Sequence, residues 1–117
     1  MATQSKVVLY PVRDVEKTKA LFVTLFGIEP HADAPYYVGF SIDGSEIGLV
    51  PDGHNQGMTG PLPVFDVDDI HATFAALRVA GAEVVQEPTD VGYGTMVAKL
   101  RDADGNGIGL RQAAAGA

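Results

Sequence analysis

With 117 residues, 46% of them hydrophobic and 20% charged, the chain has the length and balance of one globular domain with a real core. It contains no cysteine, which excludes disulfides, iron–sulfur clusters, thiolate zinc sites and cysteine nucleophiles, and no apolar run approaches the roughly 20 residues that a membrane span needs. Eight basic residues against fifteen acidic ones give a formal charge of −7, which argues against nucleic acid as a partner and suits either a cationic small ligand or simple solubility.

The opening stretch Met1–Lys6 is polar and lacks a signal-peptide core, so a soluble cytoplasmic protein is expected. Lys6 to Val12, rich in Val, Leu and Tyr, predicts a strand. Asp14 is placed to cap a helix, because its carboxylate accepts from free first-turn amides, and Glu16 adds favourable charge there. Val15, Thr18, Phe22 and Leu25 recur at helical spacing, with Leu21 and Phe26 widening the stripe. Gly27 suits the left-handed position that ends a helix, and Pro30 prevents its resumption. Extended segments follow around Ile28–His31, Tyr36–Ile42 and Glu46–Val50, with Asp43-Gly44 as a tight hairpin between the last two. Pro51 to Gly60 is rich in Gly, Pro, Asn and Asp and reads as a linker. Pro61 to Val67 predicts a strand that Pro63 places at an edge or bend. Asp68 or Asp69 then caps a helix carrying Ile70, Phe74 and Leu77, closed by Gly81. Glu83–Glu87, Thr95–Arg101 and Gly107–Gln112 read as strands, with Asp104-Gly105 as the second hairpin and residues 113–117 as a frayed tail.

This order contains a duplication. Asp43-Gly44-Ser45-Glu46-Ile47-Gly48-Leu49 returns as Asp104-Gly105-Asn106-Gly107-Ile108-Gly109-Leu110, and Val12-Arg13-Asp14-Val15 returns as Val67-Asp68-Asp69-Ile70. The two copies span about 6–50 and 62–112, joined by linker 51–61 within a single domain, and each runs strand, helix, strand, strand, strand. In this order and duplicated, the motifs resemble those of the vicinal oxygen chelate superfamily, which contains glyoxalase I, extradiol dioxygenases, fosfomycin-modifying transferases and bleomycin-resistance proteins. The resemblance covers Lys6 to Gln112 and implies an α+β fold: two βαβββ repeats forming curved mixed sheets around a cavity, with helices on the convex faces.

The resemblance also implies where a divalent metal would sit, since family enzymes hold one with His or Glu from the first and last strands of each copy. Mapped onto this chain, those positions are Val7, Gly48, Leu62 and Gly109, none of which can coordinate an ion through its side chain. No metal and no other cofactor is therefore expected. Neither a Gly-x-Ser-x-Gly elbow nor a phosphate-cradling loop with its Lys is present.

Strand alternation assigns the cavity face. It collects Val7, Leu9, Tyr37, Ser41, Glu46, Gly48 and Val50 from the first copy, and Leu62, Val64, Val97, Lys99, Gly109 and Arg111 from the second. Such a face, apolar with a few polar groups, suits a small organic ligand. Gly48 and Gly109 either leave room for that ligand or let the sheet bend and pack. Glu46, Lys99 and Arg111 either face the cavity or stand in solvent, and Tyr37 either lines the cavity or packs on the sheet. His54, with Gln56 and Met58, either lines the cavity mouth or lies in an exposed loop. His31 falls at a strand edge, and His71 on an exposed helix face.

The expected function is metal-free binding of a small organic or cationic molecule, as in the drug-sequestering branch of the family, without metal-dependent catalysis. The alternative is a glyoxalase-like lyase or dioxygenase-family enzyme with a non-standard or metal-independent site, with Glu46 as base and Lys99 or Arg111 stabilising an anion. A degenerate module acting through protein contacts is a third reading. The resemblance implies a homodimer; neither membrane nor nucleic acid is an expected partner.

Overall fold

The computed structural model describes residues 4–114; residues 115–117 of the expected tail lie outside the described residues. The chain divides into two compact units, Lys6–Leu62 and Pro63 onward. No helix is long and apolar enough to cross a membrane.

The first unit is built from β1 (Gln4–Pro11), α1 (Val15–Phe26), β2 (Ala32–Ala34), β3 (Tyr37–Ile42) and β4 (Ser45–Val50). Its strands lie in the order β2-β3-β4-β1, with β1 parallel to β4 and the other pairs antiparallel. The parallel pair requires a crossover, and α1 with β2 and β3 supplies it. Asp14 caps α1 by accepting from the Lys17 amide at 3.1 Å, and Gly27 at φ 70° closes it with a bond to the Val23 carbonyl. The expected strand at Ile28–His31 is displaced: this stretch stays irregular after the helix cap, and β2 begins at Ala32.

The helix face also differs from the expected stripe. Val15, Phe22, Val23 and Phe26 pack on a buried cluster of Val12, Val38, Phe40 and Leu49, whereas Leu21 and Leu25 are 68% and 69% exposed. At about 100° per residue, Val15, Phe22 and Phe26 project within a narrow arc, and both leucines fall on its flank. The aromatic pair wins the core because its rings meet Phe40 edge-on, at centroid distances of 6.1 and 5.6 Å.

The second unit repeats the plan with β5 (Leu62–Asp66), α2 (Ile70–Val79), β6 (Glu83–Asp90), β7 (Met96–Arg101) and β8 (Gly107–Gln112), in the order β5-β8-β7-β6. Asp69, rather than Asp68, caps α2 by accepting from the Ala72 amide at 3.1 Å. Ile70 and Phe74 bury against Val67, Ala98, Leu100 and Leu110. Pro63 lies just before the β5–β8 register begins at Val64↔Gly109, so its missing amide costs that ladder nothing.

The two hairpins are closed differently. Asp43 at φ 48° and Gly44 at φ 82° form the two-residue turn with positive φ at both centres, joining Ile42 to its partner Ser45. The second connection is longer than the expected tight turn. It runs from Arg101 to its partner Gly107, and Asp102 organises it by accepting from the amides of Asp104 and Asn106, both at 2.9 Å.

The stretch 51–61 is more ordered than a plain linker. It holds a 3₁₀ turn, His54–Gln56, and Met58 is buried. Gly53 sits so tightly that a methyl group there would stand 2.8 Å from Pro11 Cβ and 2.9 Å from Met58 Sδ.

Candidate functional site

In the first unit, Val38, Phe40, Ile42, Ile47 and Leu49 turn toward α1. The period-two alternation of a strand therefore turns Tyr37, Gly39, Ser41, Glu46, Gly48 and Val50 to the opposite face. The parallel register places Val7 beside Glu46 and Leu9 beside Gly48 on this face.

Tyr37 lies across the floor formed by the two glycines. A methyl group on Gly48 would stand 2.5 Å from the Tyr37 Oη and 2.8 Å from Leu9 Cδ2; one on Gly39 would stand 2.8 Å from Tyr37 Cε2. The space over Gly48 is thus filled by the protein's own ring.

The Tyr37 hydroxyl donates to Glu46 Oε2, and His31 Nε2 lies 2.6 Å from Glu46 Oε1. Both carboxylate oxygens are therefore held. His31 is itself positioned by its backbone amide, which donates to the Gly39 carbonyl at 2.9 Å. The carboxylate is 29% exposed and the imidazole 49%, so the trio lies at the boundary between apolar floor and water. His31 has no role in the sequence reading. The sequence offered no clue to this contact, because the expected strand ended at His31 whereas β2 begins at Ala32.

In the second unit, Val67, Ala98, Leu100 and Leu110 turn toward α2. The other face carries Val64, Asp66, Val97, Lys99, Gly109 and Arg111. Leu62, Val64 and Gly109 are buried. Arg111 forms a two-pronged pair with Asp66, Nε to Oδ1 at 2.7 Å and Nη2 to Oδ2 at 3.1 Å. Lys99 is half-buried, and desolvation holds its ammonium below the usual lysine range. The remaining sequence candidates are more open. Ser41 is exposed across from Glu46, and His54 is exposed on its 3₁₀ turn, as is His71 on α2.

These residues do not fit a divalent ion of the family type. Val7, Gly48, Leu62 and Gly109 carry no donor, and Glu46 has both oxygens engaged by His31 and Tyr37. Asp66 is likewise taken by Arg111. Among the described residues, no three His, Asp or Glu side chains converge.

The family described as the Glyoxalase/Bleomycin resistance protein/Dioxygenase superfamily matches residues 4–110. No curated protein matches the chain. Solved structures do resemble it. One is described as an NAD-dependent benzaldehyde dehydrogenase from Legionella pneumophila, with a TM-score of 0.73 at 17% identity, covering 95% of this chain and 98% of that one. A glyoxalase/bleomycin resistance protein/dioxygenase superfamily member from Vibrio splendidus 12B01 also gives 0.73 at 17% identity, covering 96% and 100%. A Streptomyces coelicolor methylmalonyl-CoA epimerase variant, in complex with 2-nitronate-propionyl-CoA, gives 0.69 at 18% identity, covering 98% and 97%. At these identities the likeness is one of fold.

Proposed function

The chain belongs to the Glyoxalase/Bleomycin resistance protein/Dioxygenase superfamily, and we propose that within it this protein binds a small organic molecule in the cytoplasm without a metal. The observation that carries this reading is the composition of the first unit's open face. Val7, Leu9, Val50 and the ring of Tyr37 offer apolar surface, and the polar groups Glu46 and His31 converge at its margin. Small-molecule sites combine largely apolar walls with a few well-placed polar groups. Here the polar groups are pre-ordered by each other, so binding immobilises little that is not already fixed.

Titrating the purified protein with a panel of metabolites and antibiotics, followed by amide NMR, tests the reading. A saturable ligand that shifts residues 37–50 supports it, and a panel without any saturable ligand refutes it. Pairing of two chains, which the family resemblance implies, belongs to the same proposal and is decided by light scattering.

The 2.6 Å contact between His31 and Glu46 favours one second reading, proton transfer at Glu46. A carboxylate oriented by an imidazole is a workable general base. On that reading Glu46→Gln abolishes turnover of a bound substrate while leaving the fold intact, and unchanged turnover removes Glu46 from the chemistry.

A further inference from the structure

Three rows of paired residues cross the open face of the second unit, and each contains one cation from β7 or β8. In the first row, Arg101 of β7 pairs with Glu83 of β6, and their side chains approach to 3.9 Å. In the third, Val97 pairs with Arg111, whose guanidinium is held by Asp66 of β5. The middle row runs Gln86, Lys99, Gly109, Val64. There the β6 position beside the cation holds an amide where the first row has a carboxylate.

The Lys99 side chain makes no hydrogen bond or ion pair among the described residues, although the chain carries fifteen acidic residues against eight basic ones. Its neighbours across the sheet are a buried glycine and a buried valine, which supply no counter-charge. Burial alone moves its proton affinity, and it moves it down. A partly desolvated ammonium without a counter-ion is costly, and an anion placed against it offsets that cost. On β6 the register slips on both sides of Gln86, between Val84 and Gln86 and between Gln86 and Thr89. Such bulges re-aim individual side chains and recur beside binding sites.

We infer that Lys99, with the Gln86 amide beside it, is the binding point for the carboxylate of a small organic monoanion. The inference goes beyond the small-molecule reading of the first unit's face: the anion point belongs to the second unit's own face, and it takes a charge opposite to the one the net charge of the chain suggests. One row supplies one uncompensated positive charge, because Arg111 and Arg101 each already face a carboxylate. The site therefore matches a carboxylate better than a doubly charged phosphate ester. The amide of Gln86 adds a neutral donor to the same oxygens.

The test is an amide NMR titration of the full chain with benzoate, benzamide and phenyl phosphate, repeated on Lys99→Met and Lys99→Arg. Methionine keeps most of the aliphatic stem and removes the charge. The expected result is saturable benzoate binding that shifts residues 97–101 and 107–111. It weakens about tenfold or more in Lys99→Met and with benzamide, and is largely kept in Lys99→Arg. Benzoate binding that Lys99→Met leaves unchanged, or benzamide binding equal to benzoate, overturns the inference. Tighter binding of phenyl phosphate than of benzoate overturns the monoanion assignment. Absence of benzoate binding alongside a saturable neutral or cationic compound from the wider panel overturns the Lys99 site and leaves the small-molecule reading standing. Absence of any saturable compound removes both.

Discussion

Gly48→Ala isolates the contact on which the first unit's open face depends. Gly48 lies in β4 outside the left-handed region, so alanine meets no backbone penalty there. The added methyl group would stand 2.5 Å from Tyr37 Oη, 2.6 Å from Tyr37 Cε1 and 2.8 Å from Leu9 Cδ2. Ring and methyl group cannot share that space, so Tyr37 must swing away and release Glu46. Overpacking of this kind costs about 1–3 kcal/mol, and the hydrogen bond that the displaced ring gives up is part of that cost. The expected destabilisation is about 2 kcal/mol, or a fall in Tm of roughly 8 °C for a chain of this size. Urea unfolding of a four-member cycle with Tyr37→Ala measures it directly. Without the ring the two closest contacts are gone and the flexible end of Leu9 can yield, so Gly48→Ala should then cost less than about 0.5 kcal/mol, or stabilise through the entropy lost from the unfolded chain. An equal cost in both backgrounds would show that the ring does not lie over Gly48 and would refute the reasoning.

Other perturbations follow from the packing and from titration. Phe22→Ala should lose about 3 kcal/mol, while Leu21→Gln and Leu25→Gln stay within about 0.5 kcal/mol of the parent, because Phe22 packs on Phe40 and the two leucines are exposed. Urea midpoints that fall equally for Phe22 and Leu25 would contradict the placement of α1. Hydrogen bonds from the Asn106 side chain and backbone hold the Asp102 carboxyl below 3.8. Its stabilising contribution is therefore present above 3.8 and disappears as pH falls through the lower folded value, and Asp102→Asn should remove that part of the acid dependence of stability. Lys99 has the opposite sign for a cation. Burial lowers its folded value below 10.5, so the charged form destabilises the fold at neutral pH, and the penalty fades as pH rises through the folded value. Lys99→Met should thus be more stable than the parent at neutral pH, with the gap narrowing in alkaline urea titrations; a less stable variant would show the ammonium to be favourably paired.

Much of the fold was legible because its signals are local. A carboxylate before a helix, a left-handed glycine after it, and Asp-Gly between alternating strands each act within a few residues, so Asp14, Gly27 and the Asp43-Gly44 turn could be read directly, and the cap of α2 was narrowed to Asp68 or Asp69. The duplication supplied the order of elements twice over. Alternation likewise assigned Tyr37, Glu46 and Gly48 to one face, because a strand permits only two. The apolar stripe of α1 was less secure, since Leu21 and Leu25 satisfy a broad helical pattern as well as Val23 and Phe26 do. Which flank is buried depends on how the helix rolls over Phe40, a partner from another strand.

The candidate site depended most on contacts between distant segments. His31 reaches Glu46 because the backbone before β2 is fastened to Gly39, and Tyr37 fills the space over Gly48 by reaching across from β3 to β4. Arg111 and Lys99 are both cations on the same face of neighbouring strands, yet one meets Asp66 and the other meets Gln86. Composition and periodicity treat those two cations alike, because the difference between a neutralised charge and an available one lies in strand register. Register is decided when all the strands of a sheet pair together, by the summed packing of faces that no single strand contains.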